Sequence, residues 1–492
     1  MEESNSKKVI KNFLWRAAES GLGQVVSFVV AIILARLLDP EAYGVIALAT
    51  VFMSILQVFV DSGLGSALVQ KKDADEVDFS SVFYFNFLVC IVLYVMMFAA
   101  APAIAAFYGD PIYTPLVRVM SLALIASGFK NIQQAYVSRQ MIFRRFFFST
   151  LGGTIASAVL GVAMAYAGFG VWALAAQYLC NTVIDTLILW ITVPWRPRKL
   201  FSWKRLGGLL SYGWKLLLSS LLDTGYTNLR NLVIGKVYSS SDLAYYDQAN
   251  KYPQAVAVSV IGNSISSVLL PTMSSVQDDV EHVKKMTRRS ITFSLYIAAP
   301  AMLGLAACAE PLVRLVLTDK WLPCVPYLRI FCVNYMFWPI NAANQNAIKA
   351  LGRSDLFLRL EVIKKLIGFA LLIVSMGFGV PAIALSLLLT SAAGQVINSY
   401  PNRKLMGYRY SEQLQDVLPA MLLSVVMALA VGTVPLLGLG DAATLALQIP
   451  LGAAIYVIGS AVLRLESFRY LLNLLRHMIR RCDTAGGSKE KG

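Results

Sequence analysis

Residues 35–44, ARLLDPEAYG, place Arg36, Asp39, Pro40, Glu41 and Gly44 directly after a long apolar run. Pro40 cannot continue the preceding helix, and Gly44 tolerates a tight approach at the start of the next one. The stretch therefore predicts a hairpin between two apolar helices. The stretch GKVYSSSDLAYYD, residues 235–247, repeats the pattern two hundred positions later and brings Lys236 onto Arg36. Upstream, FLWRAAES (13–20) aligns with YGWKLLLS (212–219), setting Trp15 on Trp214, Arg16 on Lys215 and Ser20 on Ser219. Such self-similarity implies two halves of about six helices each. Six is even, so both halves start on the same side, as parallel repeats about an axis along the membrane normal.

The helices cross a membrane. Hydrophobic residues make up 57% of 492 positions and charged ones only 14%, with a mean hydropathy of +0.62; a soluble domain carries about 25% charged residues. Uncharged runs such as 79–109, 146–184, 366–402 and 442–463 exceed the roughly 20 residues that a helix needs to span the hydrocarbon core. The short alternation of transmembrane strands is absent. The expectation is an all-α polytopic membrane protein with about fourteen spans, each of roughly 20–30 residues. They fall at 12–36, 43–69, 79–107, 113–138, 147–168, 171–194, 207–236, 244–275, 287–309, 321–351, 355–376, 380–402, 414–437 and 441–463. Residues 1–200 form an N-terminal lobe (helices 1–6) and 201–404 a C-terminal lobe (helices 7–12). Two extra helices occupy 405–463, followed by a basic amphipathic tail at 464–492.

Charge placement tests this topology. If the N-terminus is cytoplasmic, 30 of the 43 Lys and Arg residues fall at cytoplasmic ends and only Arg36, Lys236, Arg314 and Lys320 at the opposite ends. That asymmetry is the positive-inside pattern, so both termini are expected in the cytoplasm of a bacterial inner membrane. The net charge of +15 is then topology, dispersed among loops rather than gathered on a nucleic-acid-binding module. The tail RLESFRYLLNLLRHMIRRC (464–482) is expected to lie on the anionic inner leaflet. The first apolar run is too long for a cleavable signal. Cys90, Cys180, Cys308, Cys324, Cys332 and Cys482 lack metal or redox spacing and read as packing residues; no cofactor or metal is expected.

Function is sought among polar groups held inside the membrane, where a charge persists chiefly when it lines a cavity or finds a partner. Span 7 carries Lys215, Ser219, Asp223, Thr227 and Asn231 at every fourth position, with Arg230 beside them; that spacing tracks one helix face. Span 6 has Gln177, Asn181 and Asp185, span 2 Gln57 and Asp61, and span 10 Arg329, Asn334, Asn341, Gln345 and Lys349. Spans 4 and 8 add Arg118, Lys130 and Lys251. The interior is net basic, which suits phosphate or diphosphate. Arg118, Lys215, Arg230, Lys251, Arg329, Asn341 and Gln345 are the candidates for binding it. Two plainer readings stand beside this one. Lys130, Lys349, Lys364 and Lys365 are placed to snorkel to the interface, with Glu361 and Lys365 as an i,i+4 pair, and Asp223 with Arg230 is a possible internal ion pair.

The stretch 33–73, ILARLLDPEAYGVIALATVFMSILQVFVDSGLGSALVQKKD, resembles the N-terminal signature of the Wzx and WzxC-like oligosaccharide flippases of the multidrug/oligosaccharidyl-lipid/polysaccharide superfamily. NLVIGKVYSSSDLAYYDQANKYPQ (231–254) and SSVLLPTMSSVQDD (266–279) resemble it too, although Ala244 stands where that family often has Gly. The resemblance implies fourteen helices in two lobes that alternate access. It also implies movement of an undecaprenyl-diphosphate-linked oligosaccharide from the cytoplasmic to the outer leaflet for surface polysaccharide biosynthesis, with no enzymatic activity. A polysaccharide polymerase machinery is a further expected partner. Asp61, Asp185 and Asp223 are candidates for coupling to protons or sodium ions. The alternatives are a multidrug or organic-cation antiporter, whose cavity would be acidic or aromatic, a lipid II flippase, and a membrane-embedded glycosyltransferase, for which no loop is long enough.

Overall fold

The hairpin forms at its expected place. In the computed structural model, helix α1 (Gly23–Leu37) ends one turn before α2 (Pro40–Asp61), which opens on a proline whose ring pre-sets the helical φ. Two hundred residues later α8 (Trp203–Val237) and α9 (Ser240–Gln254) are separated by the same two-residue break. Different chemistry makes this second turn. The Asp242 carboxylate accepts from Ser239 N at 3.3 Å, while Ser239 Oγ accepts from Asp242 N at 3.1 Å, a reciprocal cap of the first helical turn. The two breaks also touch, because a Cβ built on Gly44 would lie 1.7 Å from the Ser240 carbonyl oxygen.

The structure describes residues 23–473 apart from 62, 72, 143, 258–268 and 271, and only the backbone of 212 and 354. The aligned segment 13–20, part of SSVLLPTMSSVQDD, and the tail beyond 473 with Cys482 lie outside the described residues. The chain packs as two units, Met1–Ala244 and Tyr245–Gly492. In the first, α3 (Leu64–Gln70), α4 (Glu76–Tyr108), α5 (Tyr113–Arg139), α6 (Arg144–Tyr166) and α7 (Val171–Thr192) follow α2. Helix α8 packs on α2, α3 and α4, so the seventh span stands with this unit by packing, whereas the boundary near residue 200 follows the repeat. The span α2–α3 bends at Gly63, φ +66°, where a Cβ would meet the Gly213 carbonyl of α8 at 3.0 Å.

The basic ends of this unit close on an apolar core that includes Leu68, Phe79, Phe83, Ile132, Trp195 and Leu206. Above it, Asp75 caps α4 and engages Arg205 of α8, while buried Asp78 holds Lys71 at 2.7 Å. The hydrogen bond from Arg205 holds the Asp75 carboxyl below its ordinary range. Its contribution is therefore complete at neutral pH and is lost only as the pH falls through that lowered value.

The second unit contains α10 (Val280–Ala307), α11 (Ala309–Leu317), α12 (Val325–Met336), α13 (Trp338–Ala350), α14 (Ser354–Ser375), α15 (Val380–Met406), α16 (Tyr410–Gly432) and α17 (Asp441–Val462). An amide cluster ties three of them together. Asn344 donates to Gln413 Oε1 at 2.9 Å and to Ser399 Oγ at 3.1 Å, and accepts from Asn402 at 2.7 Å; all four residues are fully buried. Within a membrane such polar groups hold helices together because lipid offers them no partner.

Among the described residues, nine helical stretches are long and apolar enough to cross a membrane, fewer than the fourteen expected. The difference falls on spans 1, 7, 8, 10 and 11, for identifiable reasons. Helix α1 is described only from Gly23, and the eighth span only as α9 before residue 258. The seventh, α8, is diluted by Lys215, Asp223 and Arg230. The tenth breaks between α12 and α13, where Pro339 opens the second helix. The eleventh, α14, carries Arg359, Glu361, Lys364 and Lys365. The chain is an all-α multi-pass membrane protein; its less apolar helices α8, α9, α12 and α13 carry six of the seven candidate binding residues, while Arg118, Asp61 and Asp185 lie in the apolar helices α5, α2 and α7.

Candidate polar interior and family

In the first unit the intramembrane polar groups of α2, α5 and α7 form a short chain. Asp61 accepts from Gln57 Nε2 at 3.1 Å and from Asn131 Nδ2 at 3.2 Å. The adjacent α5 residue Lys130 donates to Asp185 Oδ2 at 3.2 Å. Lys130 thus spends its charge on a buried carboxylate and does not snorkel. Asp185 is only 7% exposed, and among the described residues its second oxygen, Oδ1, has no hydrogen-bond partner. Further along α7, Asn181 donates to Ser157 Oγ at 3.3 Å.

Along α8, Lys215, Ser219, Asp223 and Thr227 are exposed, and so are Leu216, Leu218 and Leu222 between them. Arg230, three residues beyond Thr227, is 4% exposed, and among the described residues its Nε and Nη2 find no hydrogen-bond partner. Its guanidinium lies 5.9 Å from the Tyr226 ring centre. Arg118 does not join this group. It lies 4.1 Å over the Phe98 ring and donates to the Phe98 carbonyl at 3.2 Å, which fixes it on the α4–α5 hairpin.

In the second unit, Lys251 pairs with Asp247 at 2.6 Å, a carboxylate one turn earlier that sequence reasoning passed over. Asn341 accepts from Asn398 at 3.1 Å, and Gln345 donates to Glu361 at 3.1 Å. Glu361 pairs with Lys364, three residues on, at 2.5 Å. Lys349 rests 4.1 Å over the Phe357 ring. Arg329 opens onto a separate cavity of about 820 Å³ whose rim includes Glu310, Arg314 and Asp441. The seven candidate binding residues therefore occupy several environments. Arg230 alone combines burial with open donors, and Asn341 and Gln345 share one face of α13. Among the described residues, no three His, Cys, Asp or Glu side chains gather as a metal site.

Residues 33–326, more than half of the chain, match the family model described as polysaccharide biosynthesis protein. The chain belongs to that family. Among its relatives is the succinoglycan biosynthesis transport protein ExoT of Rhizobium meliloti (strain 1021), 27% identical over 67% of each chain. Another is the lipopolysaccharide biosynthesis protein WzxC of Escherichia coli (strain K12), 25% identical over 73% of each. The family's fold is also that of a solved structure of the lipid II flippase MurJ in an inward closed conformation. The match has a TM-score of 0.74 at 17% identity, covering 94% of this chain and all of that one. An inward-facing multidrug resistance MATE transporter matches with a TM-score of 0.62 at 16% identity, over 78% of this chain and 94% of that one.

Sequence reasoning missed the Asn344–Gln413–Asn402 cluster and the Lys251–Asp247 pair. Asp247 was readable at four residues from Lys251. The amides carry no charge pattern to mark them.

Proposed function

We propose that this protein flips a polyprenyl-diphosphate-linked oligosaccharide, with undecaprenol as the polyprenol, from the cytoplasmic to the outer leaflet of a bacterial inner membrane for surface polysaccharide biosynthesis. The observation that carries the reading is Arg230: a guanidinium inside a span, nearly sealed from solvent, with two nitrogens unpaired. A buried cation with open hydrogen-bond donors is costly. That cost is offset when an anion binds, and a guanidinium fork matches a diphosphate. The exposed stripe of Lys215, Ser219, Asp223 and Thr227 supplies a polar path for the glycan along the same helix, while the prenyl tail stays in lipid. Membership of a polysaccharide biosynthesis family supports the same substrate class.

In this reading the basic ends, with both termini, face the cytoplasm, and the two pseudo-repeats alternate access by rocking. A polysaccharide polymerase takes the product at the outer leaflet. Deleting the gene in its own host is expected to raise membrane lipid-linked oligosaccharide and abolish surface polymer. Normal levels of both, with no redundant exporter, would overturn the reading, and accumulation of lipid II would reassign the substrate. In that deletion background Arg230→Ala is expected to lower export at least tenfold, and Arg230→Lys to recover part of it. Asp61, Asp185 and Asp223 are proposed as coupling carboxylates. Replacing each with Asn should weaken the dependence of transport on a proton or sodium gradient, and unchanged dependence in all three variants sinks the coupling.

A further inference from the structure

At the basic end of the second unit, a cavity of about 750 Å³ opens between α10, α16 and the turn that follows α17. Its rim is cationic. Lys285, Arg288 and Arg289 come from α10 and Arg464 from the turn, against Asp416 and Glu466. Asp416 is already neutralised, since it holds Arg288 at 2.5 Å and accepts from the Tyr408 hydroxyl at 2.7 Å. That leaves Lys285, Arg289 and Arg464 facing Glu466, a net positive rim. Arg289 is held 3.9 Å over the Tyr470 ring, and Tyr470 stands edge-on to Phe293 at 5.6 Å. Arg464 takes a left-handed φ of +53° as the chain leaves α17, which turns residues 466–473 back over α10.

The floor has the opposite character. Phe293, Tyr296, Pro419, Ala420 and Leu463 line it. A cationic rim at the charged end of membrane helices over an apolar floor forms one amphipathic groove. An inorganic anion would use only the rim, and an apolar chain only the floor.

We propose that this groove binds an anionic glycerophospholipid of the surrounding leaflet, phosphate at Lys285, Arg289 and Arg464, the start of an acyl chain on the floor of Phe293, Pro419, Ala420 and Leu463. Helix α16 and the turn after α17 lie outside the two six-helix repeats, while α10 supplies Lys285 and Arg289 from within the second; the ligand is a resident lipid, and competition with the transported class is one arm of the test. Placing the groove at the anionic inner leaflet rests on the orientation proposed above; the binding chemistry does not.

The test is native mass spectrometry of the purified full-length protein in detergent, titrated with cardiolipin, phosphatidylglycerol and phosphatidylcholine. The wild type is expected to hold one anionic lipid at least tenfold more tightly than phosphatidylcholine. The variant Lys285→Gln/Arg289→Gln/Arg464→Gln should lose that preference, whereas Arg359→Gln, a basic residue of α14, should keep it. Because the triple variant risks misfolding, Glu466→Gln supplies an independent readout: removing the one opposing charge should tighten anionic lipid binding. Equal affinity for phosphatidylcholine, or an unchanged preference in both variants, overturns the site. Displacement by millimolar phosphate would make the ligand a free anion, and displacement by stoichiometric undecaprenyl diphosphate would make the groove a substrate site; either also overturns it. Orientation is read separately, by thiol labelling of Lys285→Cys in intact cells and inverted vesicles, so its failure is distinguishable from failure of lipid binding.

Discussion

Lys130→Ala is expected to destabilise the purified protein by roughly 3–5 kcal/mol, the cost of leaving one member of a buried ion pair alone. The carboxylate left behind is Asp185, with one oxygen already lacking a partner. Asp185 cannot turn to water without disturbing α7, because it is 7% exposed and its neighbour Thr186 is bonded back to the Ala126 carbonyl of α5 at 3.2 Å. The double variant Lys130→Ala/Asp185→Ala removes both charges and is expected to recover most of the loss, since an uncharged site in the membrane needs no partner. The comparison separates pairing from packing. If both substitutions simply remove packing contacts, their effects add and the double variant unfolds at a lower temperature than either single one. Apparent melting temperatures in detergent, followed by tryptophan fluorescence, decide between the two. Asp61→Asn should be milder than Lys130→Ala, because Gln57 and Asn131 supply neutral amide donors to its carboxylate and an amide oxygen accepts from them equally well.

The contrast between Lys130 and Arg230 shows what was legible in the sequence. Both are basic residues inside spans, and hydropathy treats them alike. Spacing put Arg230 beside a polar stripe of α8, and the structure buries it with open donors. Lys130 pairs with a residue 55 positions away in sequence, a distance no helical period reaches. Runs without charge marked the apolar spans well, because length and hydropathy suffice when a helix faces lipid. The helices that fell short of lipid-type hydropathy, α8, α12, α13 and α14, are shaped by tertiary partners: amides that meet across α13, α15 and α16, or a carboxylate shared by Gln345 and Lys364. The basic cluster Lys285, Arg288 and Arg289 was legible as topology only. Its pocket arises from Arg464 and Tyr470, which close over it from the far end of the unit.

Gly44→Ala is expected to abolish transport and lower the melting temperature, and it is the smallest substitution with so large an effect. The added Cβ would sit 1.7 Å from the Ser240 carbonyl oxygen, 2.4 Å from its carbonyl carbon and 2.9 Å from its Cα. All three are backbone atoms, so no rotamer change relieves the clash and the two hairpin turns must separate. Overpacking commonly costs about 1–3 kcal/mol, and more is expected where only backbone can give way. Two controls isolate the cause. Gly225→Ala, in α8 with nothing within 4 Å of the added atom, should be neutral or stabilising by up to about 1 kcal/mol, because alanine favours a helix over glycine. Ser240→Ala combined with Gly44→Ala should rescue nothing, since the obstructing atoms belong to the Ser240 main chain. The same close approach explains why ARLLDPEAYG and GKVYSSSDLAYYD need not share side chains: the first starts its helix with Pro40, the second with the Ser239–Asp242 cap. What the two turns share is main-chain geometry, held together at a glycine. A Gly44→Ala protein that melts and transports like the wild type would show that the turns do not meet.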